Sequence, residues 1–131
     1  MSRYTELTLR YLRERGWRCQ VVEKFQFHSK RRVDLFGIID IVAIKEGRIA
    51  GVQSTGYNGR RPHLLKIMET NQSDLKDWLD SSAEFYLICW KKQKLKRGGI
   101  AFRYVPTIDG WVRKLEKPSD LRLCLDPPSN G

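Results

Sequence analysis

Residues 37–45, "GIIDIVAIK", and 48–55, "RIAGVQST", are two apolar runs joined only by Glu46-Gly47. A link of two residues with glycine second is a tight hairpin signal, because such turns need positive φ at their centre. Apolar residues occupy both odd and even positions of both runs, so both faces need cover and the strands belong inside a layered domain. Asp40 and Gln53 break that pattern. If Lys45 pairs with Arg48, the ladder sets Asp40 directly opposite Gln53, with Thr55 on the same face opposite Ile38. A three-residue loop would instead send Gln53 to the other face. An unpartnered buried amide costs about 1–3 kcal/mol, and a lone carboxylate more. Two accounts of the pair are open. They satisfy each other or nearby backbone groups, or they open onto a cleft that takes a cation and a phosphate.

The flanking sequence supplies the other layers. Tyr4, Leu7, Tyr11 and Leu12 recur at helical spacing, predicting a helix over 4–15 that stops at Gly16. "WRCQVVEKFQF", 17–27, reads as one strand, and "HSKRR", 28–32, as a basic loop. "GYNGRRP" is turn-rich, and Pro62 suits a helix start. The stripe Leu64, Leu65, Met68, Leu75, Trp78, Leu79 continues that helix, with a break and restart at "TNQS". "EFYLICW" is a strand, "KKQKLKRGG" a basic hairpin and "IAFRYVP" the returning strand. The expected fold is α/β in three layers: a mixed central sheet flanked by helices, in the order helix, three strands, helix, two strands. Residues 1–116 form one domain in this reading, and 117–131 a proline-punctuated tail.

Composition narrows the partners. Twenty-five Lys+Arg against fifteen Asp+Glu give a formal charge of +10, which repels itself unless a polyanion is near. Nucleic acid fits first, an anionic membrane surface second. No apolar run approaches a membrane span, and no signal core opens the chain, so a cytoplasmic protein with no membrane partner is expected. Cys19, Cys89 and Cys124 form no CxxC or Cys/His cluster, which argues against zinc and for free thiols in a reducing compartment. The basic runs supply the phosphate-tracking candidates: Lys30, Arg31 and Arg32; Arg60 and Arg61; and Lys91, Lys92, Lys94, Lys96 and Arg97. Trp90 and Trp111 read as core or rim rather than stacking platforms.

Helix, strand, strand with an internal Asp, turn, strand with a polar-x-polar pair, helix and strand resembles the PD-(D/E)XK nuclease superfamily. Within it the chain is most similar to the small Holliday-junction-resolvase-like and phage-type members. The resemblance spans about residues 4–105 and is carried by "GIIDIVAI" and "GVQST". It implies a restriction-endonuclease-like core, DNA as substrate and phosphodiester cleavage with Mg²⁺ or Mn²⁺. It places Asp40 as metal ligand, Gln53 at the acidic position of the E-x-K element, Thr55 at its lysine, and Glu6 of the first helix as a further ligand. Lys66, or Arg60 and Arg61, would replace the missing lysine. The likeness to junction resolvases also implies a homodimer.

Gln53-Ser54-Thr55 in place of Glu-x-Lys is the departure from the family pattern. A glutamine offers a neutral carbonyl oxygen, and a threonine offers no positive charge. Asp34 is a competing carboxylate, read as a strand-entry residue paired with Arg31 or Arg32, and Glu23 points either at the site or at solvent. The expected function is therefore a metal-dependent endonuclease of nuclease fold. The alternatives are a nucleic-acid-binding module whose site has decayed, and a protein-interaction domain for an acidic partner.

Overall fold

Glu46 and Gly47 both take positive φ, 47° and 81°, closing the two-residue hairpin that the sequence predicts. The structure is a computed structural model, and it describes residues 2–95, 98–99 and 101–112. Helix α1 (Arg3–Glu14) comes first, followed by strands β1 (Arg18–Val21), β2 (Lys24–Gln26), β3 (Arg31–Val33), β4 (Ile41–Lys45) and β5 (Arg48–Gly56). Helices α2 (Arg60–Leu65) and α3 (Gln72–Asp80) then lead into β6 (Glu84–Lys94) and β7 (Phe102–Trp111). Over the described residues the fold is α/β: a five-stranded mixed sheet, ordered β1-β4-β5-β6-β7, with three helices. All pairs are antiparallel except β5 with β6. Parallel neighbours require a crossover, which α2 and α3 provide.

Helix α1 begins at Ser2, whose hydroxyl accepts the Thr5 amide hydrogen bond at 3.2 Å. It packs Leu9 and Leu12 against Ile41, Ala43, Val52, Tyr86, Ile88 and Trp90 on one face of the sheet. On the opposite face Ile67 and Leu75 lie against Ile38, Ile39, Phe85, Leu87 and Cys89. Residues 85–90 of β6 are buried throughout, alternating between these two cores, as a doubly covered strand must. The wide helical turn Lys66–Thr70 and Asn71 separate α2 from α3, at the break expected around Thr70–Ser73.

Three expectations are corrected. Residues 17–27 are not one strand: β1 joins the main sheet, while β2 pairs with β3 in a separate two-stranded ribbon. The first hairpin strand starts at Ile41, because Phe36 and Gly37 at φ 53° and 76° fold residues 35–39 into a turn held by Leu35 N–H to the Ile39 carbonyl, 2.9 Å. Lys91, Lys92 and Lys94 are not a hairpin tip but exposed positions of β6, which runs with β7 as a ribbon beyond the end of β5. Lys96 and Arg97 of that run lie outside the described residues, as do Cys124 and the tail 117–131. Among the described residues, no helix is long and apolar enough to cross a membrane.

Candidate metal centre

The hairpin register runs from Lys45↔Arg48 to Ile41↔Val52 and stops one pair short of Asp40 and Gln53. There the Asp40 amide donates to the Val52 carbonyl at 2.9 Å, so Asp40 and Ile41 both oppose Val52. That is bulge geometry, and bulges re-aim side chains. Asp40 therefore does not face Gln53 across the ladder, contrary to the sequence expectation, and the Thr55–Ile38 pairing is lost with it. The Asp40 carboxylate instead accepts the Ser54 amide at 2.9 Å. Its backbone carbonyl accepts the Val22 amide at 2.8 Å, tying the bulge to the chain between β1 and β2.

Asp34 connects the two residues by another route. Gln53 Nε2 donates to Asp34 Oδ2 at 3.1 Å. One oxygen each of Glu23, Asp34 and Asp40 falls within 4.8 Å of the others. The ribbon explains how they meet: Glu23 precedes β2 and Asp34 follows β3, so pairing Lys24 with Val33 brings both carboxylates to the mouth of the bulge. Asp34 is thus not a partner of Arg31 or Arg32. Arg32 is 3.7 Å from Glu23 instead. Burial, reinforced by hydrogen bonding to and repulsion from Asp34, pushes the Asp40 carboxyl up to about 8. Gln53 is 1% exposed, and its Oε1 has no hydrogen-bond partner.

Glu23 and Asp40 line a cleft of about 300 Å³, together with Ser2, Thr5, Arg32 and Ser54. Three hard oxygen ligands with an unsatisfied carbonyl oxygen beside them suit a divalent cation of the Mg²⁺ or Mn²⁺ type.

The remaining candidates are placed as follows. Glu6 is exposed on α1, beside Leu9, Arg10, Arg13 and Glu14, and is not among the clustered carboxylates. Thr55 is half-buried on β5 and Lys66 half-buried in the wide turn after α2. Arg60 is engaged by Asp109, with Nε to Oδ2 and a second nitrogen to Oδ1 both at 2.8 Å, while Arg61 is exposed. Lys30 and Arg31 are exposed around the β2–β3 hairpin. Glu23 and Asp34 are candidate ligands outside the set expected from the sequence, where Asp34 reads as a strand-entry residue and the direction of Glu23 is open. The available signal was two carboxylates flanking a short hairpin, "EKFQF…RRVD", whose closure makes them neighbours. Compared with family models, with curated proteins and with solved structures, the chain shows no match.

Proposed function

We propose that the chain is a nucleic-acid-binding protein of restriction-endonuclease-like fold whose Glu23–Asp34–Asp40 centre holds Mg²⁺ or Mn²⁺ for phosphodiester cleavage, with DNA as substrate and a homodimer as its form on branched DNA. The convergence of three carboxylates, one of them held by a buried glutamine whose carbonyl oxygen has no partner, carries this reading. The element order supports it: helix, hairpin strands with the bulged Asp, crossover helices, then a parallel strand.

Glu23, Asp34 and Asp40 would hold the divalent ion, which would supply Lewis-acid polarisation of a phosphate and a more acidic water. The chain's own groups do the rest. Burial and the neighbouring Asp34 favour the protonated form of the Asp40 carboxyl, and a bound cation would displace that proton. Arg32 and the Ser2 and Thr5 hydroxyls line the same cleft and offer donors to phosphate oxygens. Gln53 fixes Asp34 by its amide hydrogen bond.

A second reading has specific support. Gln53 and Thr55 leave the E-x-K positions without carboxylate or ammonium, and Arg60 is committed to Asp109. A binding module with the same fold and no turnover follows from those facts. One experiment separates the readings: incubation with branched, nicked and linear DNA and Mg²⁺ or Mn²⁺, alongside calorimetric titration of Mn²⁺. Cleavage and a Mn²⁺ site, both lost in Asp40→Ala, support the enzyme. Salt-sensitive binding with no cleavage supports the module.

A further inference from the structure

Next to the carboxylate cleft, along the same strand and helix, lies a second cleft of different chemistry. Ser54 and Thr5 border the first; Gly56 and Tyr4 border the second, of about 330 Å³. Its walls carry Tyr4, Tyr57, Trp90, Tyr104, Lys91 and Lys92. Gly56 makes the approach possible, since a Cβ there would sit 2.9 Å from the Tyr4 ring.

Cations lie against aromatic rings in and beside this opening. The Lys91 ammonium lies 5.1 Å from the Tyr57 ring centre and that of Lys92 4.3 Å from Phe102. The Arg3 guanidinium is 6.0 Å from Tyr104. Tyr104 meets both Phe102 and Tyr4 edge-on, at 5.5 and 6.5 Å, which holds its ring in place. Tyr57 and Phe102 stay 40% and 43% exposed. Among the described residues, neither Lys91 nor Lys92 has an ion-pair partner.

We infer that this cleft binds unpaired nucleotides of a nucleic-acid strand, stacking a base on Tyr57 while Lys91 and Lys92 take the flanking phosphates. The cations alone would serve any polyanion. The aromatic faces decide against a duplex, because stacked, paired bases have no free π-face to offer. The net charge of +10 supplies the long-range attraction. This inference rests on the nucleic-acid reading above for the class of polymer, and it does not depend on cleavage. It makes the preferred substrate one with single-stranded character beside the carboxylate centre.

The test is fluorescence anisotropy in EDTA, with labelled oligothymidylate, oligouridylate and a mixed-sequence duplex. Expected is tighter binding of either single strand than of the duplex, the tighter strand identifying DNA or RNA as the source. Tyr57→Ala should weaken single-strand binding about tenfold and leave duplex binding within about twofold, while Tyr57→Phe binds like the wild type. The double variant Lys91→Ala/Lys92→Ala should flatten the salt dependence by about 1.4 in log–log slope, the release expected for two phosphate contacts on a single strand. Equal affinity for duplex and single strand, no binding of either, or an unaltered affinity in Tyr57→Ala together with an unaltered salt slope in the double variant overturns the inference. Since chelation removes the metal, loss of cleavage with single-strand preference intact defeats only the catalytic reading, and the converse defeats only this one.

Discussion

Gln53 gives its amide proton to Asp34, 3.1 Å away, and leaves its own carbonyl oxygen buried without a partner. A buried carbonyl without a donor destabilises by about 1–3 kcal/mol unless something else satisfies it. Replacing Gln53 with glutamate turns that neutral oxygen into a charge beside Asp34. Gln53→Glu should therefore melt several degrees below wild type in EDTA, and Mn²⁺ should raise its melting temperature by more than it raises that of the wild type. Thermal denaturation with and without Mn²⁺ reads both effects. A variant indifferent to Mn²⁺ counts against the metal centre.

Burial, with Asp34 alongside, pushes the Asp40 carboxyl up to about 8 from its ordinary 3.8. The folded state thus holds this proton more tightly than the unfolded state. Its contribution to stability is full below about pH 4 and is lost progressively as pH rises through about 8. In EDTA, melting temperature should fall from pH 5 to pH 8. Asp40→Asn, which cannot ionise and keeps an acceptor for the Ser54 amide, should show a shallower fall. Saturating Mn²⁺ should flatten the wild-type fall, because the cation takes the proton's place. A pH scan of thermal unfolding for the two proteins decides it.

Asp109 is buried on β7, and Arg60 grips both its oxygens. Arg60→Ala leaves that carboxylate unpaired. Because the Arg60 side chain is 34% exposed, water softens the loss to about 1–3 kcal/mol. Urea unfolding at pH 7 should show it, and Arg60→Ala/Asp109→Asn should recover part of it. Loss of nucleic-acid affinity in Arg60→Ala beyond about twofold would mean the guanidinium leaves Asp109 for phosphate.

Thr8 is fully buried between α1 and the sheet. It donates to the Tyr4 carbonyl at 2.8 Å, accepts from Trp90 Nε1 at 2.8 Å and lies 2.7 Å from the Ser54 hydroxyl. This knot joins the helix start, the Ser54 residue whose amide holds Asp40, and the tryptophan in the wall of the aromatic cleft. Thr8→Val is nearly isosteric and strands the indole N–H and the Ser54 hydroxyl. It should lower stability by about 1–3 kcal/mol and shift tryptophan emission. Chemical denaturation followed by fluorescence measures both.

The local code was legible where it is local. The Glu46-Gly47 turn, the register that begins at Lys45↔Arg48, the first helix over about 4–15 and the break before Gln72 follow from turn chemistry and apolar period. The doubly covered sheet follows from apolar residues at successive positions of β4, β5 and β6. The bulge at Asp40 did not show, because one extra residue leaves the composition of a strand unchanged while moving its last side chain. Nor did the meeting of Glu23 with Asp34, which requires residues 24–33 to leave the main sheet and pair with themselves.

The sequence by itself determined the layers, the hairpin and the excess of positive charge, since these rest on neighbours within a few residues and on sums over the chain. The tertiary structure alone decided which oxygens share a cleft. That choice depends on angstrom-scale placement of groups from separate turns: the bulge turns Asp40 away from Gln53, and the β2–β3 ribbon brings Glu23 and Asp34 to it. It also decided that the lysines of β6 stand beside tyrosines from α1, β7 and the turn after β5, a neighbourhood that no linear spacing encodes.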